Sequence, residues 1–397
     1  MFSIEMLPAA HGDCLWIEYG DGADNRRILI DGGPAHTYPS LRDRILHLPE
    51  DERTFELLMV THIDGDHIEG VVRLLQDAEA LKCSFKRIWF NGRDQLDAVP
   101  DPAGEPLGAL QGEYLGILIA DYEARTGEQV WNTDFDNGIA SIIPQSAGLP
   151  TVTLDGDCRL TLFSPTFERL LELKDRWRDE LRKAGVVSGD EQTLRQKLEG
   201  NRQLRPLGDV LGEEDRFEDA PSELPSPAGR GVEPDDVLGG EAGGDAEFGG
   251  DGSKANGSSI AVLLEYPADD PDVTILLSGD AWAQVLEESI DQYLENGPST
   301  LKLDAFKIPH HGSVANITAS LLGKIKCKHY LVSTSGAKFD HPHARAIELL
   351  LAEHQHRARP RLNFNYLTRT TETWCDDADQ KARRYHANYP KGLSVEI

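Results

Sequence analysis

Hydrophobic residues recur along the chain in short runs and periodic stretches that predict a mixed α/β protein. LWIEYG (15–20) and RRILIDGG (26–33) are strand-like segments joined by the turn DGADN, which is typical of a β-hairpin. FELLMVTH (55–62) is a continuous apolar run of the kind found in a strand covered on both faces. IEGVVRLLQDAEAL (68–81) instead places its apolar residues at helical spacing.

The alternation of strand and helix signals continues beyond residue 84. FKRIWFN (85–91) predicts a strand, and residues 107–126 predict a helix. CRLTLFSPT (158–166) predicts another strand. The amphipathic segment 167–185 predicts a helix that ends at Gly185.

The later part of the chain repeats this organisation. Predicted strands and helices alternate there, namely strands 258–266, 273–282, 303–309 and 329–336 and helices 283–295, 316–323 and 344–354. In both halves hairpins come first, and strands then alternate with helices. This order favours two sheets packed face to face with helices outside, a four-layer αββα sandwich.

The composition changes sharply between the two halves. Within 205–254, acidic residues outnumber basic ones by 14 to 4, and Gly and Pro are frequent. Such a stretch buries too little apolar surface to offset its ordering entropy, so 188–255 is interpreted as a flexible acidic insertion. The fold is then expected to comprise 1–187 and 256–397, and the insertion offers a docking site for a protein partner.

The overall charge bears on the partners of the protein. Asp and Glu number 68 against 40 Lys and Arg, a net charge of −28. This charge should repel nucleic acid unless metal ions or a local basic patch compensate. Bases gather at 357–361 and 382–391, where they either contact a phosphate backbone or form an ordinary solvated face.

Cysteine usage and hydropathy indicate the compartment. The five cysteines are scattered without a C-x-x-C pair, which is typical of a reduced, cytoplasmic protein. The start of the chain, MFSIEMLPAA, has no basic region followed by an apolar core, so no secretory signal is expected. No segment approaches the roughly 20 apolar residues that cross a bilayer, so no membrane association is expected.

The segment THIDGDHIEG (61–70) concentrates side chains that bind metals. His62, Asp64, Asp66 and His67 follow directly after a predicted strand. Imidazole and carboxylate groups at this spacing are typical metal ligands. A solvated turn with Asp66 near a helix N-terminus is the alternative.

Histidine and aspartate recur at other predicted strand ends. Asp31 ends ILIDGG, Asp280 ends LLSGD, and His310 and His311 lie in KIPHHGS, while His341 lies in AKFDHPH. Asp280 would alternatively cap the helix that follows it. Recurrence at several strand ends predicts that these side chains meet at a metal site.

The motifs and their order resemble the metallo-β-lactamase superfamily. The chain reads H-x-D-x-D-H where that superfamily has H-x-H-x-D-H, and G-D-C, I-D-G-G, N-x-x-S, S-G-D and P-H-H-G-S occur in order around it. This variant resembles the metallohydrolase domain attached to ComEC, the competence DNA-uptake channel, over roughly 1–100 and 255–370. The membrane-spanning part of ComEC is absent, so a stand-alone relative is expected.

The resemblance implies an αββα fold with one or two divalent ions between the sheets. By position, His62 and Asp64 would bind the first ion, Asp66 and His67 the second, and Asp280 would bridge them. An anionic bridge offsets the repulsion between two close cations, and paired ions lower the pKa of bound water.

Further roles follow from the same resemblance. His310 or His311 would complete the second site, with His310 favoured, and the other would contact substrate or donate a proton. Asp31 would support the ligands through hydrogen bonds from outside the coordination sphere. Asn256 and Ser259 would either orient substrate or shape the turn after the insertion.

Two departures from the superfamily pattern affect the metal. Asp64 in place of a second His makes the site harder and more anionic, so Zn²⁺ or Mn²⁺ is expected. No His occurs between His67 and His310, so the first ion lacks one expected protein ligand. Water, Asn256 or another Asp fills that place, or the first site is weak or empty. His341 either contacts substrate or is structural.

These features predict a metal-dependent hydrolase, specifically a phosphodiesterase or nuclease acting on DNA or RNA through water activated by the ions. Asp66, His310 and His311 are the predicted catalytic residues. One alternative is a hydrolase of small esters or lipid headgroups, similar to phosphorylcholine esterases or lactonases. Another is a non-catalytic protein that binds a partner.

Overall fold

The computed structural model describes residues 1–22, 24–98, 110–144, 148–174, 251–295, 297–354, 359–389 and 394–396. In this part the chain is a mixed α/β protein with two large β-sheets and one small one. Residues 175–250 lie outside the described residues, and with them most of the predicted insertion and the end of the predicted helix 167–185.

The described strands follow one another as β1 Phe2–Met6, β2 Leu15–Tyr19, β3 Arg26–Ile30, β4 Thr54–Phe55, β5 Leu57–Met59, β6 Ser84–Phe85, β7 Ile88–Trp89, β8 Thr151–Leu154, β9 Cys158–Ser164, β10 Ala261–Tyr266, β11 Val273–Leu277, β12 Leu301–Lys307, β13 Ile325–Val332, β14 Arg361–Phe364, β15 His386–Asn388 and β16 Ser394–Glu396.

The described helices are α1 Tyr38–Leu46, α2 Gly65–Leu81, α3 Arg93–Ala98, α4 Leu110–Thr126, α5 Lys254–Gly257, α6 Ala283–Tyr293, α7 Ala319–Gly323, α8 Ala344–Glu353 and α9 Asp377–Arg383. Residues 167–174 are also helical.

The first large sheet has six strands in the order β16-β1-β2-β3-β5-β7. β1, β2 and β3 form antiparallel hairpins, whereas β3, β5 and β7 run parallel. β1 alternates buried and half-buried residues, as expected of a strand with one face in the core. β16 returns from the far end of the chain to pair with β1.

The second large sheet has eight strands in the order β15-β14-β13-β12-β11-β10-β9-β8. β8 to β11 are antiparallel, and β11 to β15 are parallel. The carboxyl ends of β11, β12 and β13 therefore lie at one edge. The predicted order of hairpins followed by strand–helix alternation is present in both large sheets.

The two predicted halves of the fold share both large sheets. β8 and β9 precede the insertion, yet β9 pairs with β10 after it. β16, from the second half, extends the sheet that the first half builds. The described residues on either side of the insertion therefore form interleaved sheets.

The predicted strand 55–62 is wrong as a single element, because the structure divides it at Glu56. Phe55 pairs with Phe85 in a small two-stranded sheet, while Leu57–Met59 joins the six-stranded sheet. Glu56 is buried at the break, where its carboxylate pairs with Arg26 at 2.7 Å and Lys86 at 2.9 Å. The buried carboxylate of Glu56 thus has two cationic partners at the position where the strand is interrupted.

Apolar side chains form three clusters. One joins the six-stranded sheet to α1, α2 and α4, and another joins the eight-stranded sheet to α6, α7 and α8. The third contains residues of both large sheets, including Ile17, Met59, Leu162 and Leu264. Within the described ranges, no helix combines the length and the apolar character that a bilayer crossing needs.

Candidate metal centre

The segment between β5 and α2 directs a carboxylate towards an imidazole. Asp64 occupies the N-cap of α2, but its side chain makes no capping hydrogen bond. Its Oδ2 lies 3.6 Å from Nε2 of His62. Asp66 and His67 follow in the first turn of α2, and His67 is fully buried. The helix start therefore carries ligand-type side chains that are not used for capping.

The segment after β12 brings two adjacent histidines to the same region. His310 and His311 lie in a short 3-10 turn and adopt left-handed backbone angles, with φ of 47° and 55°. Each such residue costs on the order of 1–2 kcal/mol, so the surrounding structure must hold the turn. Asp280 precedes α6, whose N-cap is Trp282, so the alternative that Asp280 caps this helix is wrong.

One carboxylate oxygen lies at the centre of four imidazoles. Oδ2 of Asp280 is 3.5 Å from Nε2 of His67 and 3.6 Å from Nε2 of His311. The same oxygen is 3.8 Å from Nε2 of His310 and 4.0 Å from Nε2 of His62. Side chains from separate strand ends of both large sheets therefore converge on Asp280.

Hydrogen bonds fix the rings of the two histidines next to α2. Nδ1 of His67 donates to Oδ2 of Asp31 at 2.8 Å. The hydroxyl of Thr61 donates to the same carboxylate, and its oxygen is then available to accept from Nδ1 of His62 at 3.0 Å. Both rings thereby carry their proton on Nδ1, which leaves an Nε2 lone pair directed at Asp280.

The histidines of the 309–312 turn are fixed in the same way. Nδ1 of His311 donates to the carbonyl oxygen of Ser333 at 2.9 Å. Nδ1 of His310 donates to Oδ1 of Asn316, also at 2.9 Å. Metal-binding histidines typically hold their second nitrogen in this manner, because the bond sets the tautomer and the ring orientation.

Four imidazole Nε2 atoms face the carboxylate of Asp280, and such an arrangement is stabilised by a cation between them. Burial opposes ionisation of His67, but Asp280 and Asp31 raise its pKa well above the ordinary value. Burial likewise works against His310, yet Asp280 and Asp251 contribute to raising its pKa to about 9. Although burial favours a neutral Asp280, the surrounding imidazoles hold its pKa well below the usual range. A cation at the centre, either protons or a metal ion, balances this arrangement.

The spacing of the ligand atoms fits a metal ion. Ligands about 2.0–2.1 Å from a tetrahedral ion lie about 3.3–3.4 Å from one another. Nε2 of His67 and Nε2 of His311 are 3.3 Å apart, and both lie within 3.6 Å of Oδ2 of Asp280. In the described part of the chain, Nε2 of His62 and Oδ1 of Asp280 are buried atoms that no hydrogen bond satisfies. The residues present therefore suit a divalent ion.

Two further carboxylates border the buried cluster. Oδ2 of Asp66 lies 3.7 Å from Nε2 of His311. Asp13 is more deeply buried and joins His67, Asp280 and His311 in a group whose ligand atoms all lie within 4.8 Å of one another. This buried group of Asp and His side chains could hold a metal ion.

Asp13 also belongs to a buried ion pair. Its Oδ2 lies 2.7 Å from Nζ of Lys307, and both side chains are almost completely inaccessible. Burial opposes ionisation, but Lys307 and then His311 hold the pKa of Asp13 well below its usual range. Lys307 neutralises this carboxylate, and the Oδ1 atom of Asp13, 3.4 Å from Nδ1 of His311, is buried without a hydrogen bond to any described residue.

Asn256 and Ser259 lie in the wall of the centre. The amide of Asn256 donates to Asp251 at 2.7 Å and contacts Nδ1 of His310 at 3.3 Å. Oγ of Ser259 accepts a hydrogen bond from the backbone N–H of Asp280 at 3.3 Å. Both residues thus hold neighbouring side chains or loops in place.

His341 lies over the same histidine turn, where aromatic side chains border the site. Its ring centroid is 5.1 Å from that of His310 and 6.3 Å from that of His311. Half-exposed Phe339 packs against the rings of His341 and His11, with centroid distances of 5.9 and 6.0 Å. Nζ of Lys338 lies 4.7 Å from the Phe339 ring centroid.

The structure thus brings together all seven of the predicted ligand or catalytic side chains, which are His62, Asp64, Asp66, His67, Asp280, His310 and His311. It places His311, rather than the favoured His310, beside Asp66 and His67. Asp31 contacts His67 through the hydrogen bond described above.

Three polar residues around the cluster are not predicted as site residues from the sequence. Asp13 was visible as part of the G-D-C motif, but nothing in the sequence pairs it with Lys307. Asp251 lies at the end of the stretch interpreted as a flexible insertion, yet it contacts the wall of the centre.

Comparison with known proteins returned no matching family model and no matching curated protein.

Proposed function

We propose that the protein is a metal-dependent hydrolase that cleaves phosphodiesters at a centre for two divalent ions. The observation that carries this proposal is the position of Asp280, whose Oδ2 lies within 4.0 Å of four imidazole Nε2 atoms. Asp64 and Asp66 add carboxylates beside His62 and His311. Such a cluster has too many ligand atoms for one tetrahedral ion.

The architecture supports the same proposal. We interpret the three apolar clusters as the three interfaces of a four-layer αββα sandwich, in which helices cover the outer face of each large sheet. The centre lies where strand ends of both sheets meet. This placement agrees with the resemblance of the sequence motifs to the metallo-β-lactamase superfamily, and in particular to the ComEC-type metallohydrolase.

The ligands divide into two groups around Asp280. His67, His311 and Asp66 surround one position, with Nε2 to Nε2 and Nε2 to Oδ2 distances of 3.3 and 3.7 Å. His62 and Asp64 surround the other, with an Nε2 to Oδ2 distance of 3.6 Å. Nitrogen and carboxylate oxygen together suit Zn²⁺ or Mn²⁺.

The residues around the centre suit a phosphodiester substrate. Divalent ions held here would lower the pKa of water towards neutrality and neutralise charge on the phosphate. Asp280 supplies the negative charge between the two positions, while Asp31 fixes the tautomer of His67. Burial and then the neighbouring His310 lower the pKa of His341 to about 2. His341 is therefore an uncharged side chain beside the histidine turn at pH 7.

The surroundings of Phe339 favour a phosphodiester over a choline ester. Recognition of a trimethylammonium group requires open aromatic faces without competing cations. Lys338 already lies over the Phe339 ring, so its charge would repel such a headgroup. An anionic substrate would instead be attracted to this side of the site.

The test is hydrolysis by metal-free protein that has been reloaded with Zn²⁺ or Mn²⁺. We expect cleavage of bis-p-nitrophenyl phosphate, and the same preparation is assayed on single-stranded DNA and RNA, p-nitrophenyl phosphorylcholine and a lactone. Asp280→Asn should abolish metal-dependent cleavage. His36→Ala is the matched control, because His36 is solvent-exposed and makes no contact with Asp280 among the described residues.

The other outcomes separate the alternatives. Cleavage of the choline ester or lactone without cleavage of any phosphodiester would support a small-ester hydrolase and contradict the proposal. Stoichiometric metal binding without hydrolysis of any of these substrates would support a non-catalytic role. Cleavage of the small phosphodiester but not of DNA or RNA would retain phosphodiester chemistry and exclude the nuclease.

A further inference from the structure

The Nδ1 side of His310 faces a compact group of polar side chains. Asn316 donates from its amide nitrogen to Oδ2 of Asp251 at 2.9 Å, and Asn256 donates to the same oxygen at 2.7 Å. Oδ1 of Asn316 accepts from Nδ1 of His310 at 2.9 Å. Asp251 therefore connects to His310 through an amide, as well as lying 3.5 Å from its Nδ1.

The carboxylate of Asp251 makes the shortest hydrogen bond that orients the Asn316 amide, and the backbone carbonyl oxygens of Asp280 and Ala281 accept from the same nitrogen at 3.3 and 3.4 Å. A carboxylate only accepts hydrogen bonds, so the NH₂ group of Asn316 must face Asp251 and its oxygen must face His310. That oxygen can only accept, which places the proton of His310 on Nδ1. Nε2 of His310, 3.8 Å from Oδ2 of Asp280, is then the ring nitrogen that can bind a metal ion.

Asp251 is itself held firmly in place. Its side chain is 8% exposed. Its Oδ1 accepts from the backbone N–H of Ser253 at 2.8 Å, and Ser253 in turn caps α5 by accepting from the N–H of Asn256. The short segment from Asp251 to Gly257 is thus built around the carboxylate. Since Asp251 lies on the Nδ1 side of His310, it faces away from Asp280 and does not compete for an ion there.

His310 lies where the first ion needs another ligand. The sequence offers His62 and Asp64 for that ion, with Asp280 shared, and has no His between His67 and His310. His311 belongs to the other ligand group, because its Nε2 lies 3.3 Å from Nε2 of His67. Oδ2 of Asp280 is 4.0 Å from His62 and 3.8 Å from His310, so these two imidazoles flank the same carboxylate oxygen.

We propose that Asp251 is a positioning residue that fixes His310, through Asn316, as the fourth protein ligand of the first ion. The adjacent histidines then serve different ions, His310 the first and His311 the second. This inference rests on the two-ion centre of the proposed function. It adds Asp251 to the residues that support the centre, although the composition of the surrounding acidic stretch predicts that Asp251 belongs to the insertion.

The experiment measures metal binding without substrate. Metal-free full-length protein is titrated with Zn²⁺ by calorimetry, the bound metal is counted by elemental analysis, and the visible spectrum is recorded with Co²⁺ as the probe. Wild-type protein should bind two ions. His310→Ala should lose one, and Asp251→Asn should weaken one of the two binding steps by about 10- to 100-fold.

Asp251→Asn is nearly isosteric, but it removes the shortest of the three hydrogen bonds that orient the Asn316 amide. We expect the Co²⁺ spectrum of one site to change, because the Asn316 oxygen then holds the Nδ1 proton of His310 less firmly. His36→Ala should bind two ions as wild type does. If His310→Ala does not fold, as judged by circular dichroism, His310→Gln replaces it as the ligand-deleting variant.

Two results would overturn the inference. One is two ions of wild-type affinity in the His310 variant. The other is an Asp251→Asn variant in which both binding steps and the Co²⁺ spectrum are unchanged. Because no substrate is present, failure of the proposed function remains distinguishable: two ions that depend on His310, without hydrolysis of any phosphodiester, would refute the function and retain the role of Asp251.

Discussion

Lys307 and Asp13 form an ion pair from which solvent is excluded, and its rupture should be costly. Nζ of Lys307 lies 2.7 Å from Oδ2 of Asp13, and the side chains are 0% and 1% exposed. Nζ also donates to the carbonyl oxygen of Ile308 at 3.0 Å. Lys307→Met retains most of the side-chain volume but leaves the Asp13 carboxylate buried without its cation.

The expected magnitude follows from burial. Removal of one partner from a buried ion pair typically costs about 3–5 kcal/mol, because the remaining charge stays desolvated. Lys328 provides a matched control, since it forms a 2.6 Å ion pair with Asp304 but its side chain is 72% exposed. Exposed pairs contribute about 0–1 kcal/mol, so Lys328→Met should be nearly neutral.

The assay is urea denaturation of metal-free protein in the presence of a chelator, with the transition midpoint converted to a free energy of unfolding. The double variant Asp13→Asn with Lys307→Met should recover part of the loss, since no uncompensated charge then remains. Equal destabilisation by Lys307→Met and Lys328→Met would refute the reasoning, because burial would then not govern the cost.

Three further outcomes are expected. Asp31→Asn should weaken metal binding by about 10- to 100-fold in calorimetry, because it removes the carboxylate that fixes His67; unchanged affinity would contradict that role. Metal affinity should fall between pH 8 and pH 6, since protons compete for imidazoles such as His310, whose pKa is raised to about 9 in the metal-free centre; a pH-independent affinity would argue against histidine ligands. Gly32→Ala should lower the free energy of unfolding by about 1–3 kcal/mol, because a Cβ there would lie 2.4 Å from the backbone of α2. Gly323→Ala is the control and should be close to neutral, because a Cβ at Gly323 would have no heavy atom within 4 Å.

Much of the fold and of the site can be predicted from hydrophobic periodicity and from the polar residues at the ends of predicted strands. Asp31, His62, Asp280 and His310 each follow an apolar run, and parallel strands bring their carboxyl ends to a common edge. Their proximity is thus a consequence of topology, which the alternation of strands and helices already indicates.

Other features depend on information that local sequence does not contain. The choice between His310 and His311 depends on two left-handed backbone conformations, which decide where adjacent rings point. Asp251 lies in a stretch whose Gly-rich acidic composition is typical of disorder, and only its contacts with Asn256 and Asn316 reveal its role. Composition averages over many residues and therefore conceals one buried carboxylate.

The central claim is that separate strand ends hold two cations around Asp280. The most direct test is an anomalous difference map from crystals of the full chain grown with Mn²⁺ or Zn²⁺. We predict two peaks flanking Oδ2 of Asp280, one coordinated by His67 and His311 and the other by His62 and His310. A map with one peak or none between these side chains, at full occupancy of the protein and saturating metal, would contradict the account.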